Sequence, residues 1–275
     1  MKITASEVNK LRQQTGAGMM DCKKALEEAQ GDFEAAVDIL RLKGQKVAAK
    51  RGDREASEGL AIAKANDNGK KAVAIILNCE TDFVANNAAF GEVANNILTV
   101  AINESPASLD ELKSKIFPGS ELSIADKLTE EIGKIGEKIE LSYYETVEGE
   151  SVVAYNHPGS NLASIVSFNK PAGEDITRDI AMQVAAMAPV AVNEDSIPAE
   201  VIAKELQIGK ELAIQEGKPA EMADKIAQGR LKKFFKESTL LNQAFIKDNK
   251  LSIAAYLQQK EDGLTVTEFK RASLN

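Results

Sequence analysis

Four consecutive residues, Thr81-Asp82-Phe83-Val84, form the segment of this chain best suited to a specific chemical task. They combine a carboxylate with a large apolar ring inside an otherwise polar stretch, residues 78–87. A ring at the tip of a polar loop either fills a gap in its own core or inserts into another protein. The segment therefore predicts either a packing plug or a contact with a partner.

The residues on both sides of this segment predict a strand and a helix that would hold it. Val73–Leu77 is a continuous apolar run, which is typical of a strand in the core of a sheet. Phe90, Val93, Ile97 and Val100 recur at helical spacing, which predicts an amphipathic helix with one buried face.

A weak internal repeat helps to choose between the two interpretations of Phe83. Residues 60–102 and 151–189 both predict strand, turn, strand, loop and helix, with Asp67-Asn68-Gly69 and His157-Pro158-Gly159 as the hairpin turns. The second loop, residues 169–173, has no aromatic side chain. If the fold required a plug, both copies should carry one. Phe83 is therefore predicted to serve a function.

The helix of the second copy is also predicted to be amphipathic. Its apolar stripe consists of Ile176, Ile180, Val184 and Met187.

The N-terminal residues, 1 to about 45, predict a bundle of three short helices. Thr4 and Glu7 form a capping box for the first helix, and Asp32 caps the third. The second helix starts at Met19-Met20, and adjacent helical positions cannot both point inward. One methionine is therefore predicted to be exposed, where a flexible thioether suits a partner surface. That both simply fill gaps in the core remains an open alternative.

The rest of the chain predicts an α+β fold in two related core subdomains with antiparallel sheets. The charged stretch from Lys46 to Gly59 predicts a linker. An insertion at about residues 192–237, broken at Gly217-Lys218-Pro219, predicts an antiparallel helical hairpin. A helix at about 251–259 and a strand at 265–270 follow. The predicted units are a docking module with the start of the linker (1–52), the first α+β subdomain (53–147) and the second (148–275).

The bulk properties exclude several classes of protein. The formal charge of the 275 residues is −8, which argues against a nucleic-acid partner, because binding to phosphates requires a basic face. No apolar run is long enough to span a membrane, and the N-terminus lacks the apolar core of a signal peptide. The two cysteines, Cys22 and Cys79, lie in separate regions, so a disulfide scaffold is not expected. These properties predict a soluble cytoplasmic protein.

Residues that carry out covalent chemistry are scarce. The single histidine, His157, lies in a hairpin turn, and its pairing with Cys79 as a nucleophile is a minor alternative. Gly69-Lys70-Lys71 lacks the second glycine and the hydroxyl of a phosphate loop. One histidine and two scattered cysteines are too few for a zinc site. We therefore expect no enzymatic activity, no cofactor and no bound metal.

Taken together, these parts resemble the bacterial translation elongation factor Ts family over essentially the whole chain. The most specific matches are the stretch from Thr15 to Leu26, TGAGMMDCKKAL, and Thr81-Asp82-Phe83-Val84. Weaker support comes from His157-Pro158-Gly159, Gly217-Lys218-Pro219 and the run from Gly229 to Phe234.

The resemblance implies a guanine nucleotide exchange factor that acts on the GTPase elongation factor Tu, in its GDP-bound or nucleotide-free form. It also implies a ubiquitin-associated-like N-terminal bundle and a projecting coiled coil. Asp82 and Phe83, with Thr81 and Val84, would enter the GTPase domain beside the nucleotide and displace Mg²⁺. The resemblance further implies docking contacts at Arg12, Met19, Met20, His157, Phe245 and Ile246.

Three residues depart from the family pattern. Ser160 stands where many relatives have a second glycine, Asn86 where a basic residue is more usual, and Ala244 where proline is frequent. A rival interpretation is a scaffold or chaperone that binds a partner through the bundle and the helical arm. This rival predicts binding that does not depend on nucleotide, whereas an exchange factor competes with GDP.

Overall fold

Three helices form the N-terminal part of the computed structural model, which describes residues 3–274. They are α1 (Ala5–Thr15), α2 (Met19–Glu28) and α3 (Phe33–Arg51). The predicted capping box is confirmed, because Thr4 and Glu7 bond reciprocally at the start of α1. Asp32 likewise accepts a hydrogen bond from the Ala35 N–H at the start of α3. The buried core of the bundle consists of Val8, Leu11, Cys22, Ala25, Leu26 and Ala36.

Helix α3 is longer than predicted, and the linker is correspondingly shorter. The helix continues to Arg51 and the next strand begins at Glu58, so the expected linker from Lys46 to Gly59 is wrong for most of its length. Gly44 lies inside this helix and packs against Gly133. A Cβ on Gly133 would lie 2.7 Å from the Gly44 Cα.

The first sheet has the order β1-β2-β3 and is antiparallel throughout. Strands β1 (Glu58–Ala65) and β2 (Lys71–Cys79) form the predicted hairpin, and β3 (Glu140–Glu148) pairs with the other side of β2. The core of this unit lies between the sheet and its helices, with Phe90, Val93 and Ile97 buried as predicted. The helices between β2 and β3 are α4 (Asp82–Ala85), α5 (Ala88–Glu104), α6 (Leu109–Ser114) and α7 (Ile124–Ile135).

The second sheet repeats this arrangement with the order β4-β5-β8. Strands β4 (Ser151–Asn156) and β5 (Leu162–Phe168) form the second predicted hairpin, and β8 (Val266–Ser273) pairs with β5. Helix α8 (Glu174–Met187) buries Ile180 and Val184 as expected. Met187 is 47% exposed, so its place in the buried stripe is wrong. The helix ends at this residue, and Ala188 turns the chain away in the left-handed conformation.

The predicted insertion is a helical hairpin of α9 (Ala199–Gln215) and α10 (Ala220–Ser238). Its seam is built from small residues, since a Cβ on Gly209 would lie 3.1 Å from the Ala227 Cα. A two-stranded hairpin, β6 (Ala244–Phe245) with β7 (Asp248–Ser252), follows and was not predicted. Helix α11 (Ile253–Lys260) begins two residues later than expected because Ser252 caps it.

The two sheets face each other across a layer made mostly of alanine side chains, which we call the alanine layer. Small residues allow two pleated surfaces to approach closely without large knobs between them. This layer joins the two α+β units. The domain boundaries at 52 and 147 stay a prediction. The buried members of the layer are Ala61, Ala63, Ala72, Ala74, Ile76, Val147, Ala163, Ile165 and Ala272.

Candidate partner-binding site

The predicted polar loop contains a short helical turn, which we call the exposed turn, Thr81–Ala85. The strand β2 extends through Cys79, and Thr81 then caps the turn by accepting a hydrogen bond from the Val84 N–H at 3.4 Å. The Ala85 N–H donates to the Thr81 carbonyl at 3.2 Å. Val84 and Ala85 pack against the core of the first unit. The segment is therefore an ordered turn with its base in the core.

Phe83 lies on the outer side of this turn and is 84% exposed. It is the most exposed large apolar side chain among the residues that the structure describes. The expectation that the ring does not serve as a plug for its own core is confirmed. Asp82 beside it is also exposed, so a carboxylate and a ring face solvent together.

Two glutamates hold the base of the exposed turn. Glu137 accepts two hydrogen bonds from Thr81, from the backbone N–H at 3.1 Å and from Oγ1 at 2.7 Å. Glu80 accepts a hydrogen bond from the Lys138 N–H at 2.6 Å. Arg51 Nη1 lies 3.0 and 2.9 Å from the two oxygens of Glu80. The Lys138 hydrogen bond, followed by the Arg51 charge, lowers the pKa of the Glu80 carboxyl below its ordinary value.

Cys79 has the environment of a structural cysteine. It is fully buried, and its Sγ donates to the Thr81 carbonyl at 3.2 Å. Burial, reinforced by the nearby Glu137 carboxylate, raises the pKa of the thiol to about 11. The thiol is therefore protonated at neutral pH, and the alternative that Cys79 is a nucleophile is wrong.

The N-terminal bundle presents both methionines to solvent. Met19 and Met20 are 55% and 61% exposed, so the alternative in which both fill gaps is wrong. They occupy the first turn of α2, ahead of the inward-facing Cys22. Arg12 on α1 is also exposed. Each of these side chains is thus available to a partner.

His157 lies at the exposed tip of the β4–β5 hairpin. Its Nδ1 shares a hydrogen bond of 3.0 Å with the Tyr155 hydroxyl. The hairpin is joined to the first sheet by Asn156, which accepts a hydrogen bond from the Ala63 N–H at 2.7 Å and donates to the Ala63 carbonyl at 3.0 Å. Ser160 in the same turn adopts a φ of 55°, a conformation that favours glycine.

The predicted contacts at Phe245 and Ile246 have different outcomes. Phe245 is 4% exposed and stacks on Tyr256 with a ring separation of 4.2 Å, so the expectation that it offers a surface is wrong. Ile246 is exposed, and its N–H donates to the buried Gln183 side chain at 2.9 Å. Phe245 anchors the β6–β7 hairpin, and Ile246 is presented by it.

The described part of the chain, residues 3–274, contains no group of three or more His, Cys, Asp and Glu placed to hold a metal ion. Over the same residues, no helix combines the length and apolar character that crossing a membrane requires.

Comparison with known proteins identifies the family. The family model described as "Elongation factor TS" matches residues 80–275, a range that begins one residue before the exposed turn. The chain belongs to this family. A curated relative from Christiangramia forsetii, named Elongation factor Ts, is 51% identical and covers 99% of each chain. Relatives of the same name from Amoebophilus asiaticus and Porphyromonas gingivalis are 50% and 49% identical. The match to the Amoebophilus asiaticus relative covers 98% of each chain. The match to the Porphyromonas gingivalis relative covers 100% of this chain and 99% of the relative.

In this member of the elongation factor Ts family, the residues that hold the exposed turn were not predicted from the sequence. Glu80, Glu137 and Arg51 are charged residues in a chain with 28% charged residues, and a charged side chain usually lies on a solvated surface. Only one local signal was available. Gly136 ends α7 with a φ of 80°, and this turn brings the next residue, Glu137, back toward Thr81.

Proposed function

We propose that this chain promotes the release of GDP from elongation factor Tu, so that GTP can bind in its place. The main support is the 84% exposure of Phe83 on an ordered turn, in a chain that belongs to the elongation factor Ts family. Asp82 and Phe83 enter the GTPase domain of the partner near its nucleotide and displace the Mg²⁺ ion. Met19, Met20, Arg12, His157 and Ile246 supply further contacts.

The mechanism follows from how a GTPase holds its nucleotide. Mg²⁺ bridges phosphate and protein oxygens, and the ion tolerates little distortion of its octahedral shell. A ring inserted beside a ligand-bearing segment shifts that segment and weakens both metal and nucleotide. Because coupling between two ligands is reciprocal, GDP and GTP also weaken the binding of the exchange factor. The factor therefore binds the empty GTPase best.

Phe83 alone cannot supply the whole effect. Burial of one Phe side chain contributes about 1.5–3 kcal/mol, which corresponds to roughly a tenfold to hundredfold change in affinity. The bundle and the second hairpin must add contacts of their own. Binding free energy supplied by several surfaces would account for the exposed groups on α2, on the exposed turn and at His157.

The decisive experiment measures the release of fluorescent GDP from elongation factor Tu. Phe83→Ala should slow the stimulated release at least about tenfold and leave the circular dichroism spectrum unchanged. Ile116→Ala is a matched control, because Ile116 is an exposed aliphatic residue outside the turn. A Phe83→Ala protein with the wild-type release rate would count against the insertion of the ring.

Measurement of the affinity for elongation factor Tu at rising GDP concentrations distinguishes exchange from a scaffold or chaperone role. An exchange factor loses affinity for its partner as the concentration of GDP rises, whereas a scaffold does not. Binding that stays constant over the whole GDP titration would favour the scaffold.

A further inference from the structure

We infer that Glu137 is a positioning residue: its two hydrogen bonds to Thr81 fix the exposed turn, and this order gives Phe83 one direction before a partner arrives. The role in exchange rests on the proposed function, whereas the ordering of the turn can be tested without any partner.

The geometry shows how carboxylates continue a sheet where backbone pairing ends. The last pair of the β2–β3 ladder joins Asn78 to Glu140. Beyond it, the Glu80 side chain accepts from the Lys138 N–H, and the Glu137 side chain accepts from the Thr81 N–H. Each segment thus bonds a backbone amide of the other through a carboxylate. Hydrogen bonds to a charged acceptor are stronger than those between neutral groups.

Thr81 connects this pairing to the turn. Its Oγ1 donates to Glu137 at 2.7 Å and at the same time accepts from the Val84 N–H. Each of the two bonds uses a different oxygen of Glu137, and a glutamine places an NH2 group, which cannot accept, at one of these two positions. In this geometry the carboxylate makes both bonds, whereas a glutamine keeps one of them.

The other glutamate connects the pairing to the N-terminal bundle. Arg51, the last residue of α3, contacts both oxygens of Glu80. Lys138 Nζ donates to the Gly52 carbonyl at 3.1 Å, directly after the end of the same helix. The end of α3 and the base of the exposed turn therefore share one set of polar contacts.

Order before binding has a measurable consequence. Fixing the backbone of about one residue corresponds to roughly a tenfold change in an equilibrium constant. A turn that is ordered only on binding must lose that freedom at the partner surface, which lowers affinity. Loss of Glu137 should therefore weaken exchange by roughly tenfold even though Phe83 is still present.

Amide hydrogen exchange tests the ordering directly in the free protein. The N–H groups of Val84, Ala85, Asn86 and Asn87 bond within the turn and make no bond to Glu137. Glu137→Ala should accelerate exchange at these amides roughly tenfold, and Glu137→Gln should have an intermediate effect. Glu148→Ala is the matched control, because Glu148 is exposed at the opposite end of β3 and its carboxylate contacts the Lys71 side chain. Wild-type protection in both Glu137 variants would overturn the inference. If Glu137→Ala fails to fold, Glu137→Gln decides alone.

GDP release from elongation factor Tu then tests the consequence for exchange. Glu137→Ala should slow stimulated release roughly tenfold in the wild-type background and cause a smaller loss in Phe83→Ala, where Asp82 is the remaining inserted side chain of the turn. Equal losses in both backgrounds would show that Glu137 acts elsewhere and would overturn the link to Phe83. If the wild-type chain does not stimulate release, the proposed function fails, and hydrogen exchange still decides whether Glu137 orders the turn.

Discussion

At the scale of single residues, the position of a side chain in its helix determines what its replacement can report. Met20 is exposed in the first turn of α2, where backbone N–H groups point outward without partners in the helix. A carboxylate at such a position is favourable for the helix. A charge placed there therefore removes a contact surface without weakening the bundle.

Met20→Asp should weaken the complex with elongation factor Tu by roughly tenfold, because a thioether that the partner would cover is replaced by a charge that must be desolvated. Isothermal titration calorimetry with the nucleotide-free GTPase measures this loss. The melting temperature of the free variant should equal or slightly exceed that of the wild type. Unchanged affinity would show that Met20 lies outside the interface.

Glu80 makes the stability of the exposed turn depend on pH. Its pKa is lowered from 4.5 by the Lys138 hydrogen bond and by Arg51, so the folded state favours the charged form. This contribution is complete above the unfolded pKa and is lost as the pH falls through the lower folded value. Glu80→Gln should cost about 1 kcal/mol at pH 7, and the cost should shrink as the pH falls below about 4.5.

Urea unfolding of both proteins across the acid range checks this prediction. Glu28→Gln is a suitable control, because Glu28 is an exposed residue of α2. A difference between wild type and Glu80→Gln that stays constant down to about pH 3 would contradict the assignment.

At the scale of elements, two glycines decide how closely α3 and α7 cross. A Cβ on Gly133 would meet the Gly44 Cα at 2.7 Å, a separation that forces the helices apart. Gly229 in α10 has open space around the same position. Alanine favours a helix over glycine at both sites, so only packing distinguishes the two.

Gly133→Ala should therefore destabilise the protein by about 1–3 kcal/mol, because the crossing cannot accept the methyl group. Gly229→Ala should stabilise it by up to about 1 kcal/mol. Chemical denaturation of both variants measures the difference. Stabilisation by both substitutions would mean that the helices can separate without cost.

The elements also show what sequence patterns can and cannot predict. Apolar periodicity predicted β2, α5, both hairpins and the helical insertion, because local spacing decides which face is buried. It did not predict the contact between Gly44 and Gly133, because the two residues are far apart in the sequence. The surface contact at Phe245 was implied by the family resemblance and is wrong, because the ring is buried against Tyr256. Phe83 was correctly predicted to be exposed because the second repeat lacks its counterpart.

At the scale of the whole molecule, the alanine layer sets the distance between the two sheets. Ala74 is fully buried in this layer and pairs with Ala63 on the neighbouring strand. The same strand β1 is tied to the His157 hairpin through Asn156. A wider gap between the sheets would therefore also displace one of the predicted partner contacts.

Ala74→Leu should lower the free energy of unfolding by about 1–3 kcal/mol, because three added carbon atoms have no space between the sheets. Ala89→Leu, at an exposed position of α5, should change it by less than about 0.5 kcal/mol. Thermal and urea unfolding measure both. Equal stability of the two variants would show that the layer can accept larger side chains.

Helix α3 fixes the spacing of the surfaces at its two ends. Its 19 residues run from the packed helices of the bundle to Arg51, which contacts Glu80, and span roughly 28 Å. Each inserted residue would turn one end by about 100° relative to the other while both remained folded. The helix thus fixes the distance and the rotation angle between the surfaces at its two ends. A protein that contacts both surfaces must match this distance and this angle. The number of residues in α3 therefore contributes to the choice of partner, even if α3 itself does not contact the partner protein.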